Sequence, residues 1–185
     1  MSIVTKGGDG GETSLLYGGR VSKDNLHTEA YGALDEAISA LGLARAEETD
    51  AAQAQLILDL QTELFTVGAE LATTPDKRDK LEKHFPTVTA EMVERLDRGV
   101  KELEAAIPLP PQFVIPGGSR VGAALDMSRT LVRRAERRAV SLHRANELAN
   151  PEVLRYLNRL SDYLFMLARR AEHGNTVIKG RSKLT

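Results

Sequence analysis

The chain has 185 residues, 25 Lys and Arg against 26 Asp and Glu, and a formal net charge of −1. That length suits one domain with a sizeable core, and the absence of Cys excludes disulfides, thiolate metal sites, iron–sulfur clusters and a cysteine nucleophile. The near-neutral sum conceals a segregation. Residues 1–119 carry 11 basic and 20 acidic side chains, whereas 120–170 carry 11 Arg, no Lys and five acids, a concentration that points to a local anion site more than to a nucleic-acid surface.

Trp is absent and only four Tyr and four Phe occur, so the core must rest on Leu, Ala, Val and Ile. No apolar run approaches the roughly 20 residues that span a bilayer. The N-terminus lacks the apolar centre of a signal peptide, and a cytoplasmic protein is expected.

Residues 1–23 are rich in Gly, Thr, Ser and Lys without helical periodicity and read as an ordered or ligand-ordered loop. From about Asp24 to Glu48, Leu34, Ile38 and Leu41 form one helical stripe. Residues 51–73 repeat the pattern with Leu56, Leu60, Leu64, Val67 and Leu71. The stretch Thr74–Val88, with Pro75, Pro86 and many charges, reads as a connector. A third helix is predicted over 90–107 on Val93, Leu96, Val100, Leu103 and Ile107, with Thr89 as its N-cap. Four prolines and two glycines between Pro108 and Gly118 forbid helix. Ser119 then caps a long fourth helix reaching about Leu148. Asn150-Pro151 opens a fifth, carrying Leu154, Leu157, Leu160, Leu164 and Leu167, with Gly174 as its stop. No segment alternates convincingly as a strand. The expectation is an all-α protein, a five-helix bundle with an N-terminal Gly-rich loop. Residues 1–185 form a single domain, divided into loop 1–23, bundle 24–174 and a flexible tail 175–185.

Five features could carry chemistry. The run Thr5-Lys6-Gly7-Gly8-Asp9-Gly10-Gly11-Glu12-Thr13-Ser14, closed by Arg20-Val21-Ser22-Lys23, offers glycines for close backbone approach and Thr, Ser and Lys donors for phosphate oxygens. It has neither the Gly-Lys-Ser/Thr of a Walker loop nor dinucleotide spacing, and a floppy polar terminus is the competing reading. Arg129, Arg133 and Arg137 share a stripe at i, i+4, i+8, with Arg134 and Arg138 beside it. Glu136 alone cannot neutralise five guanidinium groups, and Arg in place of Lys suits bidentate anion recognition; the alternative is a solvated face laced with salt bridges. Asn158, Ser161 and Asp162 are poor helix formers placed inside a helix, as a ligand site or as an interhelical hydrogen-bond network. Phe113 stands in a Pro-rich loop, either as a loop anchor tucked into the bundle or as a ligand contact. Asp35, on the first helix beside Gly32, is placed to cap or to pair an Arg. The four His are scattered, so no metal site and no catalytic triad is expected.

Taken together, the Thr-Lys-x-Gly-Asp-x-Gly loop with Arg20-Val21-Ser22-Lys23, Tyr31-Gly32-x-x-Asp35-Glu36, Phe113-x-x-Pro-Gly-Gly, Arg133-Arg134-Ala135-Glu136-Arg137 and Asn158-Arg159-Leu160-Ser161-Asp162-Tyr163 resemble, in order and spacing, the PduO-type ATP:cob(I)alamin (corrinoid) adenosyltransferases. Gly7 and Gly10 depart from the Thr and Lys of many relatives. The resemblance implies a homotrimer with active sites between subunits and a loop that orders around ATP. On that pattern Thr5, Lys6, Gly7, Gly8, Thr13, Ser14 and Lys23 hold the nucleotide. Arg133, Arg134, Glu136, Arg137 and Asn158 hold it from the helical side, with Mg²⁺ on the phosphates. Arg129 pairs with Asp35 across the interface. Phe113 closes the lower face of the corrin, and Asp162 lies on the corrinoid side. Arg129, Asp35, Phe113 and Arg133 are the residues expected to matter for turnover. The implied reaction joins the 5′-deoxyadenosyl group of ATP to cobalt(I) and releases triphosphate. A cob(II)alamin reductase and an adenosylcobalamin-dependent enzyme fit as partners; nucleic acid and membrane do not. A non-catalytic ATP- or cobalamin-binding trimer that senses or delivers cofactor is the alternative.

Overall fold

The computed structural model describes residues 3–4 and 6–172. Thr5, Gly174 and the tail 175–185 lie outside the described residues. Six helices and a small hairpin follow in the order β1 (Glu12–Ser14), β2 (Arg20–Ser22), α1 (Leu26–Glu47), α2 (Ala51–Leu71), α3 (Arg78–Glu82), α4 (Ala90–Ala106), α5 (Arg120–Arg144) and α6 (Glu152–Arg170). The five long helices lie where apolar periodicity places them. Two segments depart from the expectation, and the end of α5 is a third. The connector 74–88 contains a 3₁₀ turn, Pro75–Lys77, and the single-turn α3, and the N-terminal segment contains an antiparallel β1–β2 pair in which Thr13 faces Val21.

Helix starts follow local chemistry. Asn25, Asp50, Thr89 and Ser119 each accept a hydrogen bond from a backbone N–H of the first turn, replacing partners that the helix itself cannot supply. Asn150 caps α6 from two residues ahead, its Oδ1 accepting from Glu152 N at 3.1 Å. α5 stops four residues before the expected Leu148. Asn146 takes a positive φ of 59°, Asn146 N donates to His143 O at 3.0 Å and Glu147 N to Leu142 O at 2.9 Å. This paired pattern with a left-handed Asn ends a helix irrespective of what apolar residues follow.

α1 packs on α5 and on α2, and α6 packs on α5 and on α4. Small side chains let α1 and α5 approach: Ala30, Ala37 and Ala44 on one and Ala135 and Ala139 on the other are fully buried. Leu34, Leu41, Leu60, Leu64, Leu96, Leu142, Leu157, Leu160 and Leu164 fill the rest of the core, each side chain contributing roughly 1.5–3 kcal/mol when fully buried. Buried polar groups tie the layers. His27 Nδ1 lies 2.7 Å from Leu71 O, joining the start of α1 to the end of α2. Tyr156 donates to Glu63 Oε2 at 2.6 Å, and Arg95 holds the same carboxylate. Among the described residues no helix is long and apolar enough to cross a membrane.

Candidate functional site

The glycine-rich segment is folded and closed on itself. Arg20 Nη2 donates to Gly7 O at 2.6 Å, and Arg20 Nε to Glu12 Oε2 at 3.1 Å. Lys23 N donates to Gly11 O at 2.9 Å. Gly11 sits at φ +80°, where a side chain is disfavoured. At Gly8 a Cβ would stand 3.0 Å from Lys23 Nζ, so the missing side chain gives the ammonium access to the turn. The turn between the strands is anchored: Leu15 is buried, Leu16 N donates to Ala72 O at 3.0 Å, and Tyr17 packs on His84 and Phe85 with Lys80 over its ring. Lys6, Gly7, Gly8, Thr13, Ser14 and Lys23 thus form one loop cluster.

α5 presents its arginines in two groups. Arg134 pairs with Glu36 and Arg138 with Glu29 at 3.2 Å, both carboxylates coming from α1. These four residues rim a groove of about 310 Å³ between α1 and α5, with Gly32 in its wall. Sequence reading sought compensation on α5 alone and missed these partners across the helix pair. Arg133 and Arg137 are exposed and have no side-chain partner among the described residues. Glu136 accepts from Asn158 Nδ2 at 3.0 Å.

A second groove of about 310 Å³ between α4, α5 and α6 brings together Arg129, Arg133, Ser161, Asp162 and Phe165, with Leu109 of the Pro-rich loop at its edge. Arg159 lies between Asp97 and Asp162. A larger cleft of about 470 Å³, beside Glu47, Asp50 and Arg120, holds none of the expected site residues. The smaller groove is the better candidate, because it gathers an uncompensated guanidinium with Arg129 and Asp162. Phe113 is 79 % exposed, so it is not an anchor tucked into the bundle; its ring is free to meet a ligand. Asp35 is exposed with no side-chain partner among the described residues, and within one chain Arg129 donates to Asp126 Oδ1 at 3.0 Å.

No hydrogen bond or ion pair joins residues 6–25 to α5 within the described chain. The glycine loop and the arginine face are thus separate features of one chain.

A model of the family described as cobalamin adenosyltransferase matches residues 3–171. The chain belongs to this family. It is 42 % identical over 174 residues to a corrinoid adenosyltransferase of Bacillus subtilis (strain 168), covering 91 % of this chain and 86 % of that one. It is 38 % identical to the corrinoid adenosyltransferase PduO of Citrobacter freundii, spanning 94 % of this chain but only half the length of that relative. Among solved structures, a variant of the PduO-type ATP:corrinoid adenosyltransferase from Lactobacillus reuteri complexed with cobalamin and ATP superposes with a TM-score of 0.88 at 31 % identity, covering 97 % of this chain and all of that one. As a cobalamin adenosyltransferase family member, the chain places its arginine face on the longest helix of the bundle and its glycine loop on the hairpin that precedes it. Sequence reading also missed Asp126, Arg169 and Glu172, a buried charged cluster whose one signal is the Arg169-Arg170 pair that follows the apolar run Tyr163–Ala168.

Proposed function

We infer that the protein is an ATP:corrinoid adenosyltransferase, joining C5′ of ATP to cobalt(I) of cobalamin or a corrinoid precursor and releasing triphosphate. The observation that carries it is the likeness, over nearly the whole chain, to a PduO-type enzyme complexed with cobalamin and ATP. Cobalt(I) supplies the electron pair for the new Co–C bond and becomes cobalt(III). The C5′–O bond breaks and its pair leaves with the triphosphate. The nucleophile is the substrate's metal, so a chain without Cys or a catalytic triad is competent. The protein's tasks are alignment of two reactants and stabilisation of a departing polyanion.

For those tasks Lys6, Gly7, Gly8, Thr13, Ser14 and Lys23, with Thr5, are proposed to cradle the nucleotide. Arg133, Arg134, Glu136, Arg137 and Asn158 meet it from the helical side. Mg²⁺ is proposed to arrive on the phosphates, since no three His, Asp or Glu among the described residues converge to hold a metal. Because the loop and the arginine face are not joined in one chain, the site is proposed to be completed by a neighbour in a homotrimer, with Asp35 reaching Arg129 of the next subunit. Phe113, exposed on its loop, is proposed to cover the lower face of the corrin, and Asp162 to lie on the corrinoid side of the groove. Excluding the axial base favours four-coordinate cobalt(II), which is easier to reduce.

Anaerobic mixing of the protein with pre-reduced cob(I)alamin and MgATP should give adenosylcobalamin and inorganic triphosphate. Binding of both substrates with no cobalt–carbon product would remove the assignment. Sedimentation should give three times the monomer mass.

A further inference from the structure

Where α5 begins and α6 ends, four charged side chains form a continuous chain through the interior. The Arg169 side chain is fully buried, and those of Asp126 and Glu172 nearly so. Arg169 Nη2 donates to Asp126 Oδ2 and, at 3.3 Å, to Glu172 Oε1. From Asp126 the chain continues to Arg129, whose Nε donates to Oδ1 at 3.0 Å. From Glu172 it continues to Gly118, whose N–H donates to Oε1 at 3.0 Å. Two guanidinium groups thus balance two carboxylates.

Stability alone is a weak reason for such a cluster. Apolar residues of similar volume commonly serve as well as a buried ion pair, and Arg169 Nη1 is left buried without a hydrogen-bond partner, the kind of unsatisfied group that needs an explanation. The two ends of the cluster supply one. Arg129 lines the α4–α5–α6 groove together with Arg133 and Phe165, and Arg169 and Arg129 lie 4.9 and 5.9 Å from the centroid of the Phe165 ring. Gly118 ends the Pro116-Gly117-Gly118 turn that follows Phe113. Space is reserved for the carboxylate: a Cβ on Gly118 would stand 2.9 Å from Glu172 Cδ, and one on Gly122 2.9 Å from Glu172 Cγ.

We propose that Arg169 is a positioning residue whose simultaneous hold on Asp126 and Glu172 keeps Arg129 in the groove in register with the loop that carries Phe113. The device therefore links Arg129, beside the Arg133 proposed to meet the nucleotide, to the loop on the corrin side. This rests on the adenosyltransferase reading.

Two variants test it. Gly118→Ala displaces the Glu172 carboxylate from the loop without removing a charge, and Arg169→Met releases both ends. Each is assayed with MgATP on pre-reduced cob(I)alamin and on cob(II)alamin plus reductant, with thermal unfolding and the spectrum of bound cob(II)alamin recorded alongside. Gly118→Ala should lower turnover on cob(II)alamin about 10–100-fold, the usual cost of losing an outer partner of a working group. It should spare the cob(I)alamin reaction and diminish the four-coordinate cob(II)alamin signal. Arg169→Met should show the same split and also raise KM for ATP. Arg169→Lys should restore the unfolding midpoint more fully than the split, because one ammonium cannot grip two carboxylates as a planar guanidinium does. Equal losses on both substrates, with KM and the spectrum unchanged, would show a purely structural role and overturn the proposal. If one variant does not fold, the other decides. A wild-type protein that forms no cobalt–carbon bond overturns the functional reading and this inference with it, whereas an active wild type with a neutral Gly118→Ala overturns this inference alone.

Discussion

Asn158 on α6 donates its side-chain amide to Glu136 Oε1 on α5 at 3.0 Å, engaging the one carboxylate that lies inside the arginine run. Released from that bond, Glu136 is free to reach Arg133 one turn back on the same helix. Asn158→Ala should therefore weaken ATP binding by attracting a site guanidinium to Glu136. The expected rise in KM for ATP is about tenfold, the size of one hydrogen bond of about 1–1.5 kcal/mol. Because the contact is exposed, the unfolding midpoint should hardly move; a large midpoint shift with KM unchanged would contradict the assignment.

Arg133 and Arg134 are sequence neighbours with different bonding. Arg134 is already engaged by Glu36, whereas Arg133 has no side-chain partner among the described residues and lines the groove beside Arg129. Arg133→Ala should fold with wild-type stability and lose about 10²–10³-fold in kcat, the scale seen when one preorganised charge donor is removed. Lysine at this position should recover only part of that loss. In stability terms Arg134→Ala breaks one surface pair, worth about 0–1 kcal/mol. Steady-state kinetics and urea unfolding of the pair separate the two effects.

Phe113, at 79 % exposure, contributes little to the core. Phe113→Ala should leave thermal stability unchanged. Turnover on cob(II)alamin plus reductant should fall by more than turnover on pre-reduced cob(I)alamin if the ring acts, as proposed, on the reducibility of cobalt. Comparable losses with both substrates would remove that role.

Glu70 carries a pH prediction. Burial pushes its carboxyl above the ordinary value of 4.5, and hydrogen bonds from Val88 N and Asn150 Nδ2 offset part of that rise. The folded chain thus holds a proton that the unfolded chain releases from about pH 4.5 upward, so the contribution of this residue to stability falls as pH rises through that window and then stays level. Glu70→Gln keeps an oxygen acceptor for both donors but cannot titrate. Urea midpoints of the variant relative to wild type should rise from pH 4 to pH 7; parallel curves would show that Glu70 ionises normally.

The bundle was legible because its signal is repeated. Leu60, Leu64, Val67 and Leu71 each report the same buried face, and Asn25, Asp50, Thr89 and Ser119 mark starts by chemistry that acts within three residues. The hairpin was not legible, because three-residue strands are too short to show alternation and are held by contacts with Ala72, His84 and Phe85, far along the chain. The end of α5 misled for a related reason: Leu148 is buried, yet it belongs to the segment after the left-handed Asn146 rather than to the helix. At the site, Arg133, Asn158 and Phe113 stood out by residue type in an unusual setting. Glu29, Glu36 and Glu172 did not, since a carboxylate one helix away is invisible until the helices are packed.

The anchoring of the hairpin turn by Leu15, Leu16 and Tyr17 has a consequence for nucleotide capture. Fixing a residue's backbone costs about 1–2 kcal/mol in conformational entropy, and for the segment from Glu12 to Ser22 that cost is met when the chain folds. On the proposed nucleotide-binding role of this segment, an incoming triphosphate meets a loop whose ordering cost is already met, so more of its contact energy is available for affinity and for aligning C5′ with the metal.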